Sequence, residues 1–178
     1  MRIRITKNGP YAVSSDIPLV TASIDGKTSD ASEGWKKQNT INTGGTPYLL
    51  GRCGHSNNKP FCDSTHYAVG CECQETASKE PYDTLAKRYT GPGLDLLDYD
   101  ALYAEARLCD IGMTTWQFVI RSTHEENRRM ALETAKKCPS GRLPAVTKEG
   151  EKLDTELTQE VCAVDDTNSA RHRPLREQ

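Results

Sequence analysis

Long apolar segments and aromatic side chains are scarce in this chain of 178 residues. Hydrophobic residues make up 35% of the sequence and aromatic residues 6%. No stretch approaches the roughly 20 apolar residues that a membrane-spanning helix requires. The N-terminus alternates polar and apolar side chains instead of offering an apolar core for export. We therefore expect a cytoplasmic protein without a membrane span, although the sequence leaves mitochondrial import open.

An excess of charge of one sign is also missing. The formal net charge is −2 at pH 7, which does not favour attraction of the whole molecule to nucleic acid or to acidic membranes. The sequence has no glycine-rich phosphate loop, no nucleophile elbow and no carboxylate pair with the spacing of a hydrolase. These absences predict a protein that is not an enzyme and does not bind nucleic acid.

The cysteines do not have the pattern of a secreted disulfide framework. There are seven of them, an odd number, and they are unevenly spaced. Secreted frameworks usually have an even number of cysteines, whereas cytosolic thiols stay reduced. The sequence therefore predicts reduced thiols that are available as metal ligands.

One short loop concentrates residues that bind metals. Cys53, Cys62 and His66 follow one another at intervals of nine and four residues. Thiolates together with an imidazole suit an iron–sulfur cluster or zinc, and they suit calcium or magnesium poorly. The spacing therefore predicts a metal site in this loop.

The same loop closely resembles the CDGSH iron–sulfur family. The family pattern is Cys-x-Cys, two residues, Ser or Thr, three residues, Pro-x-Cys-Asp, two residues and His. The residues that fall on this pattern are Cys53, Ser56, Pro60, Cys62, Asp63 and His66. Gly51 occupies the position of the first cysteine. The resemblance implies a [2Fe–2S] cluster whose usual shell of three cysteines and one histidine is short by one ligand.

The resemblance also assigns roles to the matching residues. It implies that Cys53 and Cys62 are thiolate ligands and that His66 binds iron through one ring nitrogen. Histidine in place of a thiolate raises the reduction potential, as the two histidines of Rieske centres do. Behind these ligands, Asp63 and Ser56 are expected to orient ligands or backbone donors, while Pro60 shapes the loop.

The ligand missing at Gly51 has several candidate substitutes. Cys71 and Cys73 follow His66 closely enough to reach the site, although ordinary packing explains them equally well. A side chain of a partner, a small exogenous thiol or water would also complete the shell, unless the fourth position stays without a ligand. With three protein ligands, the site either holds an exchangeable cluster or is a former cluster site that no longer binds one.

The second part of the chain resembles the divergent ferredoxin-like domain that follows the CDGSH unit in bacterial fusion members of the family. The resemblance rests on Gly91-Pro92-Gly93, Cys109 and Cys138-Pro139-Ser140-Gly141. Tyr103 replaces the leading cysteine of this domain. Cys109 and Cys138 therefore suggest a second cluster, which Cys162, Cys71 or Cys73 would have to complete across the fold. Buried structural thiols are the preferred interpretation of this pair.

The predicted fold class is α+β. A small β-rich CDGSH-type unit, residues 1–80, is expected to pack against a ferredoxin-like α+β half, residues 81–165. From about Ala163 the chain becomes charged and polar, and residues 166–178 are expected to be a disordered or partner-bound tail. The low hydrophobic content predicts a thin core in each half.

Short strands are predicted for residues 2–5, 11–13, 19–24 and 48–50. Residues 25–46 are expected to form an irregular loop and residues 74–92 a connection between the halves. In the second half, a helix is predicted from Asp98 or Asp100 to Leu108, with the aspartates of this segment, Asp95 included, explained by capping. A buried strand from Trp116 to Ile120 and a helix that begins near Ser122 and ends before Pro139 complete this half.

These patterns favour an iron–sulfur protein for electron transfer or cluster carriage. Its expected partner is a redox or cluster-transfer protein, and a homodimer or a larger complex fits the single CDGSH unit. Arg52 and Lys59 are interpreted as solvated loop charges in preference to a docking surface. The rival interpretation is a structural or scaffold subunit that is cluster-free or stabilised by zinc. A thiol redox protein that uses Cys71 and Cys73 ranks last, because cysteines two positions apart are poorly placed for an unstrained disulfide.

Overall fold

The computed structural model describes residues 1–25, 33–153 and 158–165. Within these ranges the chain has a mixed α/β fold of small, mainly antiparallel sheets and few helices. The strands are Ile3–Ile5 (β1), Tyr11–Val13 (β2), Leu19–Asp25 (β3), Gly34–Ile41 (β4), Tyr48–Leu50 (β5), Lys87–Thr90 (β6), Asp95–Asp98 (β7), Ala145–Val146 (β8) and Val161–Asp165 (β9). The helices are Thr65–Ala68 (α1), Tyr82–Leu85 (α2), Thr115–Ile120 (α3) and Glu125–Lys136 (α4), and Asp100–Leu102 forms a 3-10 turn. None of the helices described is long and apolar enough to cross a membrane.

Two sheets form the first part of the fold. Antiparallel strands β1, β2 and β5 make one sheet, while β3 lies between antiparallel β4 and parallel β9 in the other. Leu19 of β3 and Val13 of β2 are fully buried in the core between them. Phe61 packs against this core and bridges to Leu50 of β5. The four strands predicted for this part are confirmed, and the core that they form supports the loop of Cys53 and Cys62.

The prediction of an irregular loop at 25–46 is wrong for part of that segment. Gly34–Ile41 is a strand, and it pairs with β3 with a register shift between Thr21 and Ala22. Its polar sequence gives little local strand signal, so pairing with β3 decides the structure. Residues 26–32, which belong to the same prediction, lie outside the described residues.

The end of the described chain returns to the first part of the fold. Val161–Asp165 pairs in parallel with β3 and forms a strand up to residue 165. The predicted tail at 166–178 lies outside the described residues. The sequence of β9, Val161-Cys162-Ala163-Val164-Asp165, is mostly apolar and suits a strand.

In the second part of the fold, α3 and α4 pack on the sheet β6-β7-β8. Leu94 and Leu96 are fully buried against Phe118 and Ala131 of these helices. The segment 74–92, predicted as a connection, contributes α2 and β6 to this part, which corrects that prediction.

The motif Gly91-Pro92-Gly93 has a structural reason. A Cβ atom on Gly91 would lie 2.2 Å from the carbonyl oxygen of Val119, and one on Gly93 would lie 2.3 Å from that of Ser122. Both distances are impossible for a real side chain. Glycine therefore allows the turn before β7 to approach the end of α3 closely.

Residues 116–120 form a helix, and the prediction of a strand there is wrong. The side chain of Thr114 accepts a hydrogen bond from the backbone N of Gln117, and Gln117 Oε1 accepts one from the backbone N of Thr114. This capping box starts α3, which then buries Phe118 and Val119 on one side. The apolar content of the segment belongs to an amphipathic helix. The following helix, α4, is confirmed.

The helix predicted from Asp98 or Asp100 to Leu108 is also wrong. The chain passes through a short 3-10 turn, and Glu105 and Arg107 have φ angles of 54° and 53°. These left-handed values are incompatible with a continuous right-handed helix. The capping explanation fails for Asp98 as well, since its buried carboxylate is paired with Arg142.

Direct contacts join the two parts of the fold. Trp35 Nε1 of β4 donates a hydrogen bond of 2.9 Å to the carbonyl oxygen of Lys137, just beyond α4. Ile24 of β3 is buried in a cluster with Ala106 and Leu108. The loop that carries Cys109 therefore packs on the face of β3 and β4 opposite the first core.

Candidate metal centre

The loop after β5 is closed by backbone hydrogen bonds at its base. Gly51 N donates to the carbonyl oxygen of Pro60 at 2.9 Å, and Cys62 N donates to that of Leu49 at 2.8 Å. The peptide bond before Pro60 is cis. These bonds fix Gly51 and Cys62, the two ends of the loop, next to each other on the edge of the first sheet.

Ser56 and Asp63 hold the interior of the loop. Buried Ser56 Oγ donates to the carbonyl oxygen of Phe61 at 2.6 Å and accepts from Asn58 N at 3.1 Å. Asp63 accepts from Asn57 N at 2.8 Å and from Thr65 N at 3.0 Å. Their side chains thus satisfy backbone groups that would otherwise compete with a bound ion for the ligands.

The carboxylate of Asp63 is held in its charged form. The side chain of Thr65 and the backbone N of Asn57 donate hydrogen bonds to it, which lowers the pKa of Asp63 well below its usual range. The same bonds connect the loop to the first turn of α1. His66 is therefore placed by a helix that starts on an anchored carboxylate.

Cys62 and His66 meet at the centre of this arrangement. Cys62 Sγ lies 3.3 Å from His66 Nδ1, and His66 is buried with 6% of its surface exposed. Sγ of Cys62 accepts a backbone N–H from Ser64, and Sγ of Cys53 accepts one from His55, each at 3.5 Å. These backbone donors point at the two sulfurs that are predicted to be ligands.

The predicted ligands do not converge on a single point. Among the residues that the structure describes, no three His, Cys, Asp or Glu side chains are arranged to hold one metal ion. A structural zinc ion needs four ligands within about 2.0–2.3 Å. A two-iron cluster instead distributes its ligands over two metal atoms. A close pair, Cys62 with His66, and a separate Cys53 fit the second case better.

The position of Gly51 keeps room for a side chain. A Cβ atom there would lie 3.6 Å from the carbonyl oxygen of Phe61 and 3.6 Å from Ser56 Cβ, which are ordinary contact distances. A cleft of about 620 Å³ opens beside it, between Gly54 and Pro60 on one side and β9 on the other. The position of the ligand that is predicted to be missing therefore has accessible space beside it.

Cys71 and Cys73, the candidate substitute ligands, are bonded to each other. They form a disulfide with a Cα–Cα distance of 5.3 Å, which lies within the usual range for disulfides. The expectation that their spacing disfavours a disulfide is wrong for this structure. In this oxidised form neither sulfur is a thiolate ligand.

Arg52 has a larger role than the sequence suggested. Its guanidinium donates to the carbonyl oxygens of Thr6 at 3.0 Å and of Cys73 at 2.6 Å, and it lies 5.2 Å from the centre of the Tyr11 ring. The interpretation of Arg52 as a solvated loop charge is therefore wrong. Its only sequence signal is its position between Gly51 and Cys53, because its partners are backbone atoms that a sequence pattern does not reveal.

Cys109 and Cys138, the residues of the predicted second site, lie together with Tyr103. All three line a cavity of about 10 Å³, which has room for about one water molecule at most. Burial raises the pKa of the Cys109 thiol, and the nearby Cys138 raises it further. Cys162 lies elsewhere, on β9 along the cleft beside Gly51.

Arg142 closes this second location. Its guanidinium donates to Asp98 Oδ2 at 3.0 Å and pairs with Asp100. It also lies 5.2 Å from the centre of the Tyr103 ring and 5.6 Å from that of Trp116. The hydrogen bond to Asp98 raises the pKa of Arg142. The positively charged guanidinium of Arg142 and the rings of Tyr103 and Trp116 thus fill the space around the two thiols.

Comparison with known proteins identifies a domain in the first part of the chain. Residues 8–67 match the family model of the iron-binding zinc finger of CDGSH type. No curated protein and no solved structure matched the chain. The matched range contains Gly51, Cys53, Cys62 and His66 and ends before Cys71. An iron-binding domain of CDGSH type therefore carries the loop described above.

Proposed function

We propose that this chain is an iron–sulfur protein that binds a [2Fe–2S] cluster through Cys53, Cys62 and His66. The observation that carries the proposal is the 3.3 Å contact between Cys62 Sγ and His66 Nδ1, within a domain that matches an iron-binding family. Two ligand atoms at this separation are able to bind one tetrahedral iron at ordinary bond lengths.

The separation of the ligands supports a two-iron assignment. In the proposal, Cys62 and His66 bind one iron and Cys53 binds the other, on the side of Gly51. The chain holds these side chains through Asp63 and Ser56, which fix the loop by hydrogen bonds. When bound, the cluster supplies one-electron transfer, and the histidine ligand raises its reduction potential.

In the wider proposal the protein transfers electrons or carries a cluster and is not itself an enzyme. It works in the cytoplasm with a redox or cluster-transfer protein, as a homodimer or within a larger complex. Residues 1–80 form the cluster unit, and residues 81–165 form a ferredoxin-like half that packs against it and whose last strand, β9, joins the sheet of the first half. The contact of Trp35 with Lys137 supports a fixed arrangement of these halves.

The rival function is a structural subunit that is cluster-free or stabilised by zinc. It is favoured by Gly51, which offers no donor, and by the closed cavity at Cys109 and Cys138. The separation of Cys53 from the pair Cys62 and His66 argues against a single zinc ion within the described residues.

Anaerobic purification followed by iron, sulfide and zinc analysis distinguishes these functions. The proposal expects about two irons and two sulfides per chain, together with visible absorption that changes when His66 is replaced by Cys. Stoichiometric zinc supports the structural subunit. A colourless, iron-free protein after anaerobic reconstitution would exclude the proposed cluster.

A further inference from the structure

We infer that Cys71-Glu72-Cys73 is a thiol–disulfide exchange site that controls the metal loop. Reduction of its disulfide by a dithiol releases a thiol that becomes the ligand absent at Gly51. The inference rests on the proposed cluster site. It adds a fourth ligand, which is present only when the disulfide is reduced.

The two cysteines are attached to opposite sides of the metal loop. Cys71 N donates a hydrogen bond of 3.0 Å to the carbonyl oxygen of His66. The carbonyl oxygen of Cys73 accepts one of 2.6 Å from Arg52, the residue between Gly51 and Cys53. The backbone of this short segment is therefore connected to the residue after the loop that is a predicted ligand, His66, and to the side chain of the residue next to Gly51. Opening the disulfide frees two thiols on a segment that is hydrogen-bonded to the loop.

The surroundings suit thiol exchange. Cys71 and Cys73 are only half-buried, and residues 71–79 have no helix or strand. The guanidinium of Arg52 is in hydrogen-bond contact with the Cys73 backbone and places a positive charge nearby, which favours the thiolate. Cys109 and Cys138, in contrast, lie in a closed cavity with room for about one water molecule at most.

The exchange step balances with a dithiol reductant. A thiolate of the reductant attacks one sulfur of the disulfide, which breaks the Cys71–Cys73 bond and releases the other sulfur as a thiolate. The second thiol of the reductant then resolves the mixed disulfide. The reductant leaves as a disulfide after giving two electrons and two protons, and the chain holds two thiols. One of them loses its proton when it binds metal.

Thiol counting tests the disulfide independently of any cluster. The full-length, metal-free chain is equilibrated with oxidised glutathione and alkylated under denaturing conditions, and the alkylated peptides are mapped. The map is expected to contain a bond between Cys71 and Cys73, with the five other cysteines either alkylated or bonded to glutathione, and after dithiothreitol all seven cysteines are expected to be alkylated. Alkylation of Cys71 and Cys73 without reductant would overturn the exchange site.

Retention of the cluster tests whether Cys71 or Cys73 supplies the fourth ligand. Iron and sulfide are loaded under dithiothreitol, the reductant is removed anaerobically, and visible absorbance and bound iron are followed during titration with oxidised glutathione. The wild type is expected to lose its cluster as the disulfide forms. The double variant Cys71→Ser/Cys73→Ser is expected to retain iron roughly tenfold less well from the start. Single variants show which thiol is used, and Cys138→Ser, in the closed cavity, is the matched control.

Adding Gly51→Cys to the double variant separates the two proposals. The triple variant is expected to regain a stable cluster that oxidised glutathione does not release. Equal cluster retention in wild type and double variant overturns the inference and leaves the proposed function intact. Absence of a cluster from every protein, the triple variant included, overturns the proposed function and the ligand role together.

Discussion

The two cysteine sites predicted for this chain differ in the residue at the position where the family resemblance predicts a further cysteine. At the first site the residue is Gly51, beside a cleft of about 620 Å³. At the second it is Tyr103, which lines a cavity of about 10 Å³ with Cys109 and Cys138. Glycine removes a donor and leaves its volume free. Tyrosine removes the donor and occupies the volume.

The polar groups around the two sites also differ: the first site is more open than the second. Near Cys53 and Cys62, the backbone N–H groups of His55 and Ser64 point at the sulfurs. Around Cys109, the guanidinium of Arg142 is inserted between Asp98 and two aromatic rings. A buried ion pair is costly to rearrange. The first site thus has open space beside it, and the second is closed by an ion pair.

The largest expected difference between the sites is in iron binding itself. Cys62→Ser removes a sulfur that lies 3.3 Å from His66 Nδ1, so bound iron and visible absorption are expected to be lost. Cys138→Ser, the matched change at the second site, is expected to leave both unchanged. Iron analysis and spectra of the anaerobically reconstituted proteins measure this. Loss of iron in the Cys138 variant would contradict the comparison.

The next largest effect concerns the stability of the closed site. Arg142→Met leaves the carboxylate of Asp98, only 3% exposed, without its partner. Breaking a buried ion pair costs about 3–5 kcal/mol of unfolding free energy. Urea unfolding measures the loss.

Arg129→Met is the control for this experiment. Its ion pairs with Glu126 and Glu133 on α4 are exposed, and such pairs contribute little to the unfolding free energy. Equal effects of the two substitutions would show that Arg142 is not a structural centre of the second site.

Local sequence signals were sufficient where one segment decides its own structure. The alternating strand at 11–13 and the helix that ends before Pro139 are of this kind. The contact of Cys62 with His66 also follows from their spacing of four residues, whereas their roles as ligands stay predictions. Thr114 and Gln117 have the spacing of a capping box and indicate the start of α3. The apolar content of the segment favoured a strand instead, and that prediction was wrong.

The features that could not be predicted depend on distant partners. β4 is a polar segment that becomes a strand because β3 offers it an edge. Asp98 reads as a helix cap in the sequence, yet its partner Arg142 lies 44 residues away. Arg52 contacts backbone oxygens 43 to 46 residues before it and 21 to 22 residues after it. No periodicity or spacing records such contacts.

Asp95 makes the unfolding free energy depend on pH, and the expected effect is intermediate in size. Burial opposes its charge, but hydrogen bonds from Lys148, Arg88 and the backbone N of Gly91 outweigh burial and lower the pKa of Asp95. A folded-state pKa below the unfolded value, about 3.9, means that the carboxylate stabilises the fold above that pH. This contribution is lost as the pH falls through the folded pKa.

Asp95→Asn tests this sign. The variant is expected to lose about 1–3 kcal/mol at pH 7, because the hydrogen bonds of Arg88, Lys148 and Gly91 N lose a charged acceptor that is buried. Its unfolding free energy is expected to approach that of the wild type as the pH falls below about 4. Urea unfolding between pH 3 and pH 7 measures both, with exposed Asp110→Asn as the control. A gap that is independent of pH would refute the assigned ion pairs.

The smallest expected effect comes from restoring the missing cysteine at each site. Gly51→Cys adds a thiol where the Cβ has contacts of 3.6 Å and a cleft beside it, so the cluster is expected to persist roughly tenfold longer in a chelator, about 1.4 kcal/mol. Tyr103→Cys adds the same thiol beside Arg142, and the iron content per chain is expected to stay unchanged. Vacated ring volume alone does not admit a cluster while the guanidinium remains paired with Asp98. Additional iron in the Tyr103 variant would show that the tyrosine, and not the ion pair behind it, is what closes the second site.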